Sequence, residues 1–72
     1  MRFEDFPAVF WDELYKECGF TDGQLKVIEQ RRQHGRTWDN RKHANELKIP
    51  LRTYNRRIAA IKDKIICFMA IS

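Results

Sequence analysis

The stretch "HANELKIPLRTYNRRI", residues 43–58, places a short helical pattern, a proline-marked break and a second, basic helical pattern in immediate succession. Pro50 disfavours helical geometry at Ile49, so the chain must turn there before a new helix begins with Pro50 in its first turn. Just upstream, Asp39 is suited to an N-cap, with Trp38 before it and His43 four positions after it, the spacing at which flanking side chains pack as a staple. This predicts a helix over about residues 39–47. Downstream, Tyr54, Ile58, Ile61, Ile65 and Phe68 keep a three-then-four spacing, which predicts one long helix from 50 to about 70. Ala44 is small where two such helices must approach, and Leu47 and Ile49 are apolar at the turn.

The segments before this stretch read as two further helices. "PAVFWDELYKECGF" carries Pro7 at a helix start, Phe10, Trp11, Leu14, Tyr15 and Cys18 at helical spacing, and Gly19 as a stop, predicting a helix over about 7–18. "TDGQLKVIEQRRQHG" opens with Thr21 and Gln24 in the capping-box arrangement and closes at Gly35, predicting a helix over 22–34. In that helix Leu25 and Ile28 are expected to face inward, Val27 partly so, and Gln30, Arg31, Arg32 and Gln33 to form a wet, basic end. Strand-like alternation, repeats and low-complexity runs are absent from the sequence. The expected fold class is all-α: a small four-helix domain with a helix-turn-helix and a long C-terminal helix.

Seventy-two residues leave room for one domain, near the size where a single core only just offsets conformational entropy. Residues 1–72 are therefore read as a single domain, with the two-helix motif at about 39–60. A hydrophobic content of 43% with 33% charged residues is globular rather than disordered. The net charge of +4 is unevenly spread, acidic residues dominating the first thirty positions and Arg and Lys the region 31–64, so the basic surface belongs to the second half. No signal peptide or membrane-length apolar run is present, and the expected location is cytoplasmic. Cys18 and Cys67 are expected to be reduced, buried structural thiols rather than a disulfide.

Two short helices joined by a tight turn form the arrangement in which the first braces the second, so that the start of the second enters a DNA major groove. On the second helix the outward face carries Leu51, Arg52, Asn55, Arg56, Ala59 and Lys62. Arg and Asn present paired donors and acceptors that match guanine and adenine edges.

"ANELKIPLRTYNRRI" resembles the Ala-x-x-Leu-x-Ile-Ser-x-x-Thr-Val-x-x-x-Ile pattern of bacterial helix-turn-helix regulators, with Thr53 on the family's threonine. With "FTDGQLKVIEQRRQHGRTW" before it, the resemblance extends to region 4 of bacterial sigma factors and to LuxR/GerE-type output domains, over residues 20 to about 65. It implies an all-helical, sequence-specific binder of double-stranded DNA. Arg52, Asn55 and Arg56 would read the groove, Leu51 and Ala59 would make apolar contacts, and Thr53, Arg57 and Lys62 would hold phosphates. The chain departs from the pattern at His43, Lys48, Pro50 and Tyr54. Lys48 replaces the usual turn glycine and must either accept a left-handed backbone or shift the turn, at a cost of about 1 kcal/mol.

Trp11, Trp38, Phe10 and Phe68 lie on inward stripes or at a cap and are assigned to packing rather than base stacking. His34, His43, Cys18 and Cys67 lack the close paired spacing of metal ligands, so no metal is expected. There is no glycine-rich phosphate loop, nucleophile elbow or paired acid and base, so neither catalysis nor a cofactor is expected. The end "IKDKIICFMAIS" is apolar nearly all round, which leaves a homodimer through the C-terminal helix and a small monomer both open. The function expected is that of a small bacterial or phage transcriptional regulator. The alternatives are a protein-interaction module contacting RNA polymerase or another regulator, and a DNA-packaging or recombination accessory protein.

Overall fold

In the computed structural model, which describes residues 3–35 and 37–71, the chain forms four α-helices: α1 Ala8–Glu17, α2 Asp22–His34, α3 Asn40–Glu46 and α4 Leu51–Ile71. A 3-10 turn over Phe3–Asp5 precedes them. At 1.5 Å per residue, the 21 residues of α4 run about 32 Å, close to the 34 Å longest dimension of the molecule. α1, α2 and α3 all pack against this helix, and the 3-10 turn packs on α2. The fold is therefore the small all-α domain with a long C-terminal helix that the spacing predicts.

Local chemistry sets each boundary. Thr21 Oγ1 accepts from Gln24 N at 3.2 Å while Thr21 N donates to Gln24 Oε1 at 3.0 Å, so the capping box of α2 closes in both directions. Asp39 Oδ1 accepts from Lys42 N at 2.8 Å at the head of α3, and the Trp38 and His43 rings meet across that cap at 5.4 Å. Gly19 ends the α1 region with φ +60°, and Pro7 and Pro50 sit one position before their helices rather than inside the first turn.

α3 ends in a Schellman motif, in which Ile49 N bonds Ala44 O and Lys48 N bonds Asn45 O, both at 3.1 Å. The motif needs a left-handed residue between the two donors, and Lys48 supplies it with φ 59°. Of the two ways to accommodate a lysine there, the chain takes the strained backbone.

The core is built from Phe3, Trp11, Leu14, Val27, Ile28, Ala44, Tyr54, Ile61 and Ile65, with Ile58, Phe68, Leu47 and Ile49 packed at its edge. α2 corrects the expected stripe: Val27 is fully buried, whereas Leu25 is 37% exposed. Gln24, held inward by the capping box and by Lys64 Nζ at 2.7 Å, turns the helix so that Gln24, Val27 and Ile28 share the inner face. Tyr15 is likewise outside the core, its hydroxyl accepting from Arg32 Nη1 at 2.9 Å.

Phe3 is a core residue without helical spacing to announce it. It is fixed by Trp11 Nε1 donating to its carbonyl at 3.2 Å and by edge-to-face packing of the two rings at 5.6 Å. Cys67 is exposed and Cys18 half-buried, and both are free thiols, so the expectation of two buried thiols fails at Cys67.

Candidate nucleic-acid interface

α4 begins one residue after Pro50, whose carbonyl accepts from Tyr54 N at 3.0 Å, and its first turns carry the sequence-predicted residues on three sides. Arg52, Asn55, Arg56 and Ala59 are all exposed and recur at three- and four-residue intervals, so they form one continuous solvent-facing stripe. Lys62, half-buried, continues the stripe along one edge. Leu51 lies on that same flank and packs against the core, which leaves it less of a free apolar contact than its position alone suggests.

Thr53 and Arg57 lie on the other flank, both half-buried. The Arg57 guanidinium rests on the first turn of α2, where a Cβ at Gly23 would come within 3.1 Å of Cζ and 3.2 Å of Nη1. Gly23 thus makes room for Arg57, and the arginine is turned toward α2 rather than outward with Arg52 and Arg56. The structure brings four of the eight candidates onto one open face, sets Lys62 at its rim, and holds Leu51, Thr53 and Arg57 partly against the protein.

Behind the stripe, the inner face of α4 is clamped by a polar and aromatic cluster. Arg31 of α2 donates from Nη1 to Asn40 Oδ1 at 2.9 Å and to Tyr54 OH at 3.3 Å, so one guanidinium joins the first residue of α3 to the inner face of α4. Its Cζ also lies 5.7 Å over the Phe3 ring. His43 is fully buried, stacks on Tyr54 with centroids 5.8 Å apart and planes 5° from parallel, and meets Gln30 Oε1 through Nδ1 at 3.1 Å. Burial raises the Tyr54 phenol above its ordinary value, the Arg31 hydrogen bond and charge opposing the shift.

Neither Arg31 nor His43 is legible as a clamp in the sequence. Arg31 sits in a basic run that reads as solvated, and His43 reads as a staple only. The staple is present, but the same ring also packs against the next helix.

Further cations lie beside the stripe. Arg41 and Lys42 of α3 and Lys48 of the turn are exposed. Lys42 Nζ lies 3.9 Å from Glu46 and 4.9 Å over the Trp38 ring, which also stacks on His34 at 3.9 Å and meets His43 at 5.4 Å. The two histidines therefore gather on Trp38, while the two cysteines line a groove of about 440 Å³ between α1 and α4, with Glu17, Asp63, Lys64, Phe68 and Ile71. Ile66 and Ile71 on the last turns of α4 and Val9 on α1 are exposed apolar residues. Among the described residues no helix is long and apolar enough to cross a membrane.

Chemically, the stripe offers two guanidiniums and one amide on a rigid helix, with a small alanine that lets a flat surface approach closely. Arginine and asparagine side chains so placed have the charge to meet a polyanion and the paired donors and acceptors to meet hydrogen-bonding edges. No family model, curated protein or solved structure matches this chain.

Proposed function

We propose that this chain is a sequence-specific double-stranded DNA-binding domain, a small bacterial or phage transcriptional regulator in which α3 and α4 act as a helix-turn-helix. The observation that carries the proposal is the exposed stripe of Arg52, Asn55, Arg56 and Ala59 on the first turns of α4, a helix braced from behind by α2 and α3. In this reading the start of α4 lies in the major groove, Arg52, Asn55 and Arg56 meet base edges, and Lys62, Thr53 and Arg57 lie toward phosphates. Arg57 must leave its seat on α2 to do so, a small motion of a flexible side chain.

The test is a selection from random oligonucleotides on the purified protein, followed by titration of the winning and scrambled duplexes at two salt concentrations. Enrichment of one sequence, bound well above scrambled DNA and weakening steeply with salt, supports the proposal. A palindromic winner assigns a dimer and a single half-site a monomer. Absence of any enriched sequence refutes base reading. In that case the exposed apolar residues Ile66, Met69 and Ile71 of α4 favour the second reading, a protein-interaction module that contacts RNA polymerase or another regulator. Use in DNA packaging or recombination shares the binding step and separates from transcription only in the cell.

A further inference from the structure

We propose that Cys18 and Cys67 are a paired modification site, two thiols set by the fold to close into an intrachain disulfide at the end of α4 away from the basic stripe. Both line the same groove between α1 and α4. The Cys18 thiol points at the backbone of α4, its Sγ 3.7 Å from the carbonyl oxygen of Lys64. Cys67 follows Lys64 by three positions, and helical side chains lean toward the N-terminus, so the Cys67 thiol leans over the turn that bears that carbonyl. The two thiols therefore border one groove from two elements, beside the same turn of α4.

Neither position depends on a loose segment. Cys18 is the C-cap of α1, with its N–H bonded to Leu14 O at 2.9 Å. Cys67 lies inside α4, one turn from Lys64, whose Nζ is tied to Gly19 O at 3.1 Å and to Gln24 Oε1 at 2.7 Å. These bonds hold the α1–α2 connection against α4 beside the thiols.

The two cysteines have different roles because their surroundings differ. Cys67 is exposed and open to reagents, while Cys18 is half-buried with its S–H directed at a carbonyl. The co-reactant is a low-molecular-weight disulfide such as oxidised glutathione. The Cys67 thiolate attacks one sulfur of the reagent, the reagent's S–S bond breaks, and one glutathione leaves as thiolate and takes up a proton, leaving a mixed disulfide on Cys67. Cys18 then loses its proton to water and attacks the Cys67 sulfur, displacing the second glutathione. The protein loses two S–H bonds and gains one S–S bond, and the reagent is reduced to two thiols. The product joins the end of α1 to the last turns of α4. This inference is independent of DNA binding.

The reduced full-length protein is incubated with oxidised glutathione, folded and in urea, and followed by thiol titration and intact mass. The expected result is loss of both thiols, a mass lower by two hydrogen atoms with no glutathione retained, a protein that stays monomeric on a non-reducing gel, and faster closure folded than in urea. Cys18→Ser, with Cys18→Ala as a second variant, is expected to trap glutathione on Cys67, and Cys67→Ser to lose most of the reactivity. A stable glutathione adduct on the wild-type protein, a covalent dimer through Cys67, or closure no faster in the folded state would overturn the inference.

Discussion

Replacing Lys48 with glycine is expected to stabilise this protein by about 0.5–1 kcal/mol. Lys48 holds φ 59° so that the Schellman motif can cap α3. A left-handed conformation costs a residue with a Cβ about 1–2 kcal/mol, and glycine avoids that cost but gives back about 0.5–1 kcal/mol through the larger freedom of the unfolded chain. The side chain is exposed, so little packing is lost with it. For a domain of this size, 1 kcal/mol corresponds to a shift of about 4–8 °C in Tm, so a rise of roughly 2–8 °C is expected. Urea and thermal unfolding followed by circular dichroism measure it, with an unchanged m-value showing that the surface exposed on unfolding is the same in both proteins. Lys48→Ala separates backbone from charge, since it removes the ammonium and keeps the Cβ. A gain in Lys48→Ala equal to that in Lys48→Gly would show charge relief, not backbone strain, and would refute the reasoning.

The remaining predictions address the clamp, the core and the exposed stripe. Tyr54→Phe removes the hydroxyl that accepts from Arg31 and should cost about 0.5–1.5 kcal/mol near neutral pH, read by urea unfolding. Because the folded-state value of Tyr54 is raised above its ordinary 10.0, its neutral form supports the fold below that pH and the contribution is lost as pH climbs through the folded value. The wild-type protein should therefore lose stability above about pH 10 more steeply than Tyr54→Phe, and parallel alkaline profiles would contradict this assignment. Ile61→Ala, at a fully buried core position, should cost about 2–5 kcal/mol, enough to leave much of so small a domain unfolded at 37 °C. Arg56→Ala and Asn55→Ala should each lose about 1–3 kcal/mol on the selected DNA and little on scrambled DNA, while Lys62→Ala should weaken both alike and shallow the salt dependence. Competition titrations at two salt concentrations read the difference, and equal losses on both duplexes for all three variants would remove base readout from the account.

What could be read from the sequence was whatever is encoded by neighbours a few positions apart. The capping box at Thr21 and Gln24, the cap at Asp39, the stop at Gly19 and the break at Pro50 each act within a turn, and all four helices fall where these signals put them. The strain at Lys48 was legible for the same reason. The inward side of α2 was not, because its apolar residues are too few to fix a face, and the choice of Val27 over Leu25 follows from Gln24 being held by a lysine forty positions away. Phe3 carries no periodicity at all and is recruited by Trp11.

The exposed stripe followed from helical geometry once the inner face of α4 was fixed by Tyr54, Ile61 and Ile65. The departures within it have tertiary causes. Leu51 is drawn toward the core, and Arg57 onto the space left by Gly23, thirty-four positions away in the sequence. At Cys67 the apolar run from Ile65 to Met69 surrounds the helix, so only the packing of α1 decides which of its residues are covered.

Gln24 Oε1 accepts from Thr21 N and from Lys64 Nζ together, and Lys64 Nζ also reaches Gly19 O. The same glutamine oxygen that starts α2 locally is thus completed by the distal half of α4. A peptide cut to residues 20–35 keeps the sequence of the capping box but loses the ammonium that orients its acceptor, and α4 alone loses the carbonyl and amide that seat its lysine. Secondary and tertiary structure are coupled at this joint, so the cap that starts α2 and the packing of α4 stabilise one another.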